Sequence, residues 1–316
     1  YDKSDQAVDL IKSLSADGAI VVPEQEDQGI LATIAQLGLT QSDICAVFLS
    51  EEFDSDGLTG LEIATRIHSA KSNIPIFMRL SGTRTLNDVP LEQRQAITGY
   101  YNTNDPERLK KITDHFLYGF YFPNYLIHIF IEAGLFTLNS TIKNCEIKSS
   151  VPFLIYDYAL ATECTSILPI QLPFGNGAIT FSINESDALN LIEHEHTALN
   201  RTQNSNDHCN QFISEVTNQF WGKVRRMCQL AYGNETHRAP VNIPIIVSHK
   251  QKYINFGNHT PQLCFRYLLI KNHLIPEAIS VEFKIIFNSL LRPKDFYELV
   301  PKTTNPIDDD HFEAFP

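Results

Sequence analysis

Hydrophobic and polar residues alternate in a regular way over the first 116 residues of the chain. Short apolar runs are separated by stretches in which apolar residues recur every three or four positions, which predicts strands that alternate with helices. The predicted strands are residues 19–22, 44–49, 74–80 and 96–101, and the predicted helices are residues 5–14, 28–37, 58–70 and 105–116. Such alternation favours a doubly wound parallel sheet, whose ligands gather at the carboxyl ends of the strands.

Beyond about residue 123 the pattern changes to helices beside many strands. Helices are predicted over residues 126–138, 186–199 and 206–232. Strands are predicted over residues 145–150, 153–161, 166–172, 178–183, 243–248, 263–270 and 279–286. Pro173, Gly175 and Gly177 separate two of these strands as a hairpin turn does. Helices beside an antiparallel sheet indicate an α+β domain, so we expect domains over residues 1–120 and 121–300 and an acidic tail over residues 301–316.

The charge of the chain narrows the classes of partner. Its 37 Asp and Glu residues exceed its 25 Lys and Arg residues, which gives a formal net charge of −12. Because nucleic acid and anionic lipid are also negatively charged, neither is an expected partner. No apolar run approaches the roughly 20 residues that span a bilayer, and no signal peptide is present, which predicts a cytoplasmic protein.

Metal and disulfide patterns are absent from the sequence. The 6 cysteines are scattered without a Cys-x-x-Cys pair, which predicts single buried thiols in a reducing compartment. His194 and His196 flank Glu195 on a predicted helix, where adjacent side chains point apart, whereas metal ligands on a helix usually lie four residues apart. We therefore expect no metal site and no cofactor that the chain binds for itself.

The predicted helix over residues 206–232 has two contrasting flanks. At about 100° per residue, one narrow sector collects apolar residues that should face a core, namely Ile213, Val216, Phe220, Val224 and Met227. The opposite flank carries Gln211, Glu215, Asn218, Gly222 and Gln229. That flank offers a carboxylate, a carboxamide one turn later, and a position without side-chain bulk at Gly222. An ordinary solvated helix also has a polar flank, so this pattern alone does not separate a site from a plain surface.

Short phrases in the first 116 residues resemble the response-regulator receiver family. They are Gly60-Leu61-Glu62-Ile63 and Asn73-Ile74-Pro75-Ile76, which occur in the family's order of elements. The resemblance implies a phosphate-accepting aspartate after the third strand, acidic Mg²⁺ ligands after the first and a lysine after the fifth. A working receiver needs that aspartate and lysine, because they carry and stabilise the phosphoryl group.

This chain departs from the receiver pattern at each of those positions. Ser50 or Glu51 stands at the acceptor position, Asn102 stands at the lysine position, and Asp2 is what remains of the acidic pair. A carboxylate at Glu51 would imitate the charge of a phosphorylated receiver. The expected role is a pseudo-receiver used for docking or dimerisation, although a shifted alignment would make Asp54 or Asp56 the acceptor.

The polar flank of the 206–232 helix resembles a second family. Glu215-x-x-Asn218-x-x-x-Gly222, followed by Pro240 or Pro244 before a strand, resembles the signature of the CheC/CheX/FliY phosphatases. Residues 130–133, 177–181 and 243–247 resemble the start of that family's first helix, its central hairpin strand and the strand after its active helix. The resemblance covers residues 121–290. It implies hydrolysis of an aspartyl phosphate on a separate receiver of the CheY type.

In that family the asparagine holds the attacking water and the glutamate pairs with the partner's active-site lysine. The resemblance gives these roles to Asn218 and Glu215, and it leaves Mg²⁺ on the partner receiver. The first helix has no second Glu-x-x-Asn, which predicts one site per chain, as in CheX, and CheX relatives pair as homodimers.

The match to the phosphatase signature is incomplete. Gln211 replaces the family's Asp or Ser, the proline is either Pro240 or Pro244, and Phe220 and Trp221 make the helix bulkier. Two alternatives therefore stay open: a catalytically silent adaptor that binds receivers or dimerises, and a receiver that is itself phosphorylated.

Overall fold

The structure, a computed structural model, describes part of the chain, and elements are numbered within that part. The described residues are 12, 46–55, 57–70, 74–102, 105–117, 122, 124–156, 162–172, 175–193, 205–232, 243–248, 261–271 and 278–289. They contain a 3-stranded parallel sheet, a 2-stranded ribbon and a 7-stranded antiparallel sheet.

The parallel sheet has a helix on each face. The first elements are β1 (Val47–Ser50), β2 (Asp54–Ser55), β3 (Leu58–Thr59), α1 (Gly60–Ala70), β4 (Ile76–Arg79), a 3-10 helix (Leu86–Asp88), α2 (Leu91–Arg94), β5 (Gly99–Tyr101) and α3 (Pro106–Phe116). The sheet has the order β1-β4-β5, and β2 pairs with β3 as a ribbon. Ile63 and Ile67 of α1 pack on one face, and Ile112 and Phe116 of α3 pack on the other.

The sequence located most of these elements with bounds that were too wide. The predicted strand over residues 96–101 is a strand only from Gly99, and the predicted helix over 58–70 begins at Gly60 because Leu58 and Thr59 pair with β2. Helix α3 begins at Pro106, where a missing N–H costs nothing, and Asp105 caps it by accepting from the Arg108 N–H. The 3-10 helix and α2 were not predicted. Of the predictions before residue 44, only the helix over residues 5–14 has a described residue, Lys12, which is helical; the rest lie outside the described residues.

The antiparallel sheet forms the larger body. Its elements in chain order are α4 (Asn124–Thr141), β6 (Cys145–Ser149), β7 (Phe153–Ile155), β8 (Cys164–Leu172), β9 (Gly175–Ile183), α5 (Glu185–Glu193), α6 (Ser205–Tyr232), β10 (Ile245–Ser248), β11 (Gln262–Lys271) and β12 (Ile279–Ser289). The sheet order is β10-β8-β9-β12-β11-β6, and β7 also pairs with β11. Strands β8 and β9 form the predicted hairpin, with Leu172 opposite Gly175.

One face of this sheet and the two long helices α4 and α6 share a single core. Alternate residues of β9, β11 and β12 point to that face, as the strand period of two requires. At the centre, the Phe220 ring of α6 lies 4.3 Å from the Phe283 ring of β12 and 6.2 Å from the Phe130 ring of α4. The predicted α+β arrangement is therefore observed in this part of the chain. The segment 130–133 lies within α4 and does not start it.

Helix α3 of the parallel unit contacts β7 of the antiparallel unit. The His115 ring lies 5.2 Å from the Phe153 ring, and the Tyr156 hydroxyl donates to the Asp114 carbonyl at 3.3 Å. Beside this contact is an open cleft of about 540 Å³, lined in part by His68 and Arg266. Among the described helices, none is both long and apolar enough to cross a membrane.

Candidate functional site

The candidate site lies on α6, whose inner flank fixes the direction of its outer one. The predicted apolar sector is buried: Val216, Phe220 and Val224 are 0% exposed, and Met227 packs partly buried against the same core. Each buried aromatic or aliphatic side chain contributes about 1.5–3 kcal/mol. Because these contacts lie along most of the 28 residues of α6, the helix cannot rotate without exposing them.

The outer flank of α6 faces solvent. Gln211 and Asn218 are exposed, Glu215 is partly buried, and Gly222 is exposed. A Cβ added at Gly222 would meet no atom within 4 Å. In the described part of the chain the Asn218 carboxamide makes no hydrogen bond, so its donor and acceptor are both available to a ligand. The side chain of Gln229, the last residue predicted on this flank, lies outside the described residues.

Glu215 is held in place by its neighbour one turn later. The Gln219 Nε2 donates to Glu215 Oε1 at 2.9 Å. The Gln219 Oε1 in turn accepts from Thr141 Oγ1 at 3.0 Å and from Ser140 Oγ at 3.3 Å, both at the end of α4. Sequence reasoning missed this chain of hydrogen bonds, although the four-residue spacing of Glu215 and Gln219 is the spacing at which helical side chains meet.

Helix α4 also forms one border of the outer flank. Phe136 is 42% exposed, and the Lys223 Nζ lies 4.0 Å above its ring. A cation over an aromatic face is attracted to it. Lys223 therefore covers an exposed aromatic ring next to Gly222, which shapes the rim of the candidate site.

The receiver-like positions are occupied by side chains that satisfy one another. Ser50 is 2% exposed and its Oγ accepts from the Arg79 guanidinium at 2.8 Å. Glu51 accepts from Arg84 Nη1 at 2.7 Å and from the Ser81 backbone N–H. Glu51 is thus ion-paired with Arg84, and its imitation of a phosphoryl charge stays a prediction.

Asn102, at the position of the receiver lysine, binds backbone. Its Nδ2 lies 3.0, 3.1 and 3.1 Å from the carbonyl oxygens of Leu80, Gly82 and Arg84, which share its two amide protons. The side chain therefore holds the loop after β4. Asp2, Asp56 and the side chain of Asp54 lie outside the described residues.

The remaining features singled out in the sequence are the proline before β10 and the cysteines. Pro244 is buried directly before β10, whereas Pro240 lies outside the described residues. Of the described cysteines, Cys164, Cys209, Cys228 and Cys264 are buried free thiols and Cys145 is partly exposed. A hydrogen bond with Cys164, together with burial, raises the pKa of Cys209, and burial raises the pKa of Cys228 and of Cys264 to about 12. The described residues contain no group of three His, Cys, Asp or Glu side chains arranged to hold a metal ion.

No family model matches the chain, and no curated protein matches it. Solved structures do match. A CheC-like superfamily protein from Shewanella sp. PV-4 is 16% identical, with 52% of this chain and 97% of that chain covered and a TM-score of 0.41. CheX from Vibrio vulnificus is 14% identical, with 52% and 99% covered and a TM-score of 0.39.

A chain of the CheX–CheY–BeF3–Mg²⁺ complex from Borrelia burgdorferi is 13% identical, with 52% of this chain and 98% of that chain covered and a TM-score of 0.37. These three similar structures are thus of CheC-like or CheX proteins, at low identity and over about half of this chain.

Proposed function

We propose that this chain hydrolyses the aspartyl phosphate of a separate response-regulator receiver, with Asn218 and Glu215 on the outer flank of α6 as the groups that meet the partner. The observation that carries the proposal is the pairing of a solvent-facing carboxamide that has no hydrogen-bond partner among the described residues with a carboxylate one turn earlier. Both lie on a helix whose other flank is locked in the core.

The chemistry requires little of this chain beyond positioning. A water oxygen attacks phosphorus in line with the P–O bond to the receiver aspartate. That bond breaks with its electron pair on the aspartate carboxylate, and the water protons leave with inorganic phosphate. Correct placement of the nucleophile is the main contribution a protein makes to such a reaction. The Asn218 Oδ1 would accept from the attacking water while its Nδ2 donates toward the phosphoryl oxygens.

Glu215 would supply binding. Its carboxylate would pair with the partner receiver's active-site lysine, and this contact would hold the partner against α6. Gly222 supports the proposal because the next turn of α6 presents no side chain at that position. A partner backbone can therefore approach α6 closely. The partner would bring the Mg²⁺ on which its own phosphorylation depends.

The parallel unit would act as a pseudo-receiver that docks or dimerises. The support is that Ser50, Glu51 and Asn102 are each committed to bonds within the unit. A phosphoryl group at this place would have to break the Arg84–Glu51 pair, and it would find Asn102 where a receiver has its lysine. We expect no incorporation of phosphate from a small phosphodonor, whereas labelling of Asp54 or Asp56 would contradict the pseudo-receiver role.

The direct test is phosphate release from a phosphorylated CheY-type receiver in the presence of this protein. We expect release above the receiver's own rate, and we expect Asn218→Ala to lower kcat at least about 100-fold, the usual scale for loss of a group that positions or activates the nucleophile. Asn176→Ala is the matched control, because Asn176 is an exposed amide in the β8–β9 hairpin.

The outcomes distinguish the phosphatase hypothesis from the silent-adaptor hypothesis. Equal release by Asn218→Ala and wild type would remove Asn218 from the mechanism. Binding of the phosphorylated receiver without release would favour the silent adaptor, for which the replacement of the family's acidic or hydroxyl residue by Gln211 is the relevant sequence feature.

A further inference from the structure

We propose that Gln219 is a positioning residue for Glu215, and that the end of α4 sets the direction of the Glu215 carboxylate through it. This inference rests on the proposed function, since it concerns how the same site binds its partner. It adds a residue outside the Glu-x-x-Asn motif and a second helix to that site.

The geometry defines which oxygen of Glu215 is held. Gln219 Nε2 donates to Oε1 at 2.9 Å, and Oε2 has no hydrogen-bond donor among the described residues. A carboxylate tethered at one oxygen loses much of its rotational freedom, whereas its second oxygen stays available to a cation. Ordering a free side chain on binding costs conformational entropy, so a carboxylate that is already ordered binds its partner more tightly.

The orientation of the Gln219 carboxamide follows from its partners. Two hydroxyls of α4 face Gln219 Oε1, from Thr141 at 3.0 Å and from Ser140 at 3.3 Å. The same hydroxyls lie 2.8 and 2.9 Å from the Thr137 carbonyl, so each single proton has two possible acceptors. One proton donated to Gln219 is enough to fix the amide. The flipped amide would place Oε1 against the Glu215 carboxylate, and two acceptors facing each other repel.

The two side chains on the outer flank of α6 therefore differ in how firmly they are held. Asn218 has no such tether in the described part of the chain, whereas Glu215 is tied through Gln219 to a second helix of the core. Loss of Gln219 should therefore weaken binding of the phosphorylated receiver and leave the bound chemistry nearly intact.

The experiment is steady-state phosphate release by the full chain from a phosphorylated CheY-type receiver. We expect Gln219→Met, which keeps the length of the side chain and removes its hydrogen bonds, to raise KM about fivefold with kcat within about twofold, the scale of one partly exposed hydrogen bond to a charged group. Thr141→Val should raise KM in the same direction by a smaller factor, because Ser140 still holds the amide. Asn139→Ala is the control. Asn139 lies next to Ser140 on α4, and its Nδ2 donates to the Leu135 carbonyl and not to Gln219.

Non-additivity distinguishes positioning from a general structural role. In a Glu215→Ala background, Gln219→Met should change kcat/KM no further, because Gln219 acts through Glu215. An unchanged KM for Gln219→Met overturns the inference, and so does an equal loss in both backgrounds. If wild type releases no phosphate at all, the proposed function itself fails, and that result is distinct from an active wild type with an indifferent Gln219. Should Gln219→Met fold poorly by circular dichroism, Thr141→Val carries the same test.

Discussion

Two glycines in helix interiors should respond to alanine with opposite signs. Gly222 lies on the outer flank of α6, and an added Cβ would meet nothing within 4 Å. Gly134 lies inside α4, where an added Cβ would approach the Tyr267 hydroxyl and lie 2.6 Å from Tyr267 Cζ. Tyr267 is fully buried, and its hydroxyl donates to the Ile131 carbonyl of α4 at 3.4 Å. The missing side chain at Gly134 therefore makes room for a ring, whereas the one at Gly222 makes room for no atom of the described residues.

The magnitudes follow from that difference. Alanine is about 1 kcal/mol more favourable than glycine in a helix interior. Gly222→Ala should gain most of this, which at a urea m-value of about 2 kcal/mol per molar raises the midpoint by roughly 0.5 M. At Gly134 the same gain is opposed by overpacking, which costs about 1–3 kcal/mol in a well-packed core. Because Tyr267 is enclosed by the sheet and by α4, we expect the cost to exceed the gain, with a net loss of up to about 2 kcal/mol.

The assay is urea unfolding of the two single variants beside wild type. In a double-mutant cycle, Tyr267→Leu should reduce the loss caused by Gly134→Ala, because the smaller side chain leaves room for the new methyl group. A lower midpoint for Gly222→Ala, or a higher one for Gly134→Ala, would refute the argument from local space.

Three further perturbations test other parts of the structure. Phe220→Ala should lower the free energy of unfolding by about 3–5 kcal/mol, measured in urea, because the ring stacks on Phe283 and is 0% exposed; a loss below about 1 kcal/mol would contradict this packing. Burial lowers the pKa of His115 below its ordinary 6.5. As the pH drops below about 6.5, this histidine is therefore protonated in the unfolded chain before it is protonated in the folded one, and the free energy of unfolding should fall. His115→Phe should reduce that loss between pH 7.5 and 5.5, and an unchanged pH dependence would count against it. Because burial raises the pKa of Cys228 and Cys264 to about 12, Ellman's reagent at pH 8 should modify Cys145 well before either of them, and equal rates in native protein would contradict their burial.

Structural features that depend on many residues close together in the sequence are predicted better than short elements or contacts between distant residues. Helix α6 was predicted over residues 206–232 and is observed from Ser205 to Tyr232, because a long 3.6-residue period averages over many positions. Short elements were harder. Ala96 and Ile97 look like the start of a strand because they are apolar, but β5 begins only at Gly99.

Side-chain partners were the least predictable feature, because they come from distant parts of the chain. Gln219 could be seen four residues after Glu215, but its tether to Thr141 joins residues that are 78 positions apart. In the same way Glu51 pairs with Arg84 from the loop after β4, 33 positions away. Periodicity records which face of an element is buried, and it contains no information on which cation the fold brings to a given carboxylate.

The outer flank of α6 combines features that the fold alone does not require. A glycine in the middle of a helix lowers its stability by about 1 kcal/mol, and no neighbour of Gly222 gains room from it. Asn218, one turn earlier, has an amide with no hydrogen-bond partner among the described residues, whereas Asn102 and Asn139 bind backbone carbonyls. We therefore expect Gly222→Ala to change stability and partner binding in opposite directions. The methyl group of Gly222→Ala strengthens the helix, but it occupies the space through which a receiver would reach Asn218. Under the proposed function, the more stable variant should therefore release phosphate from a phosphorylated receiver more slowly than wild type, and equal or faster release would contradict this.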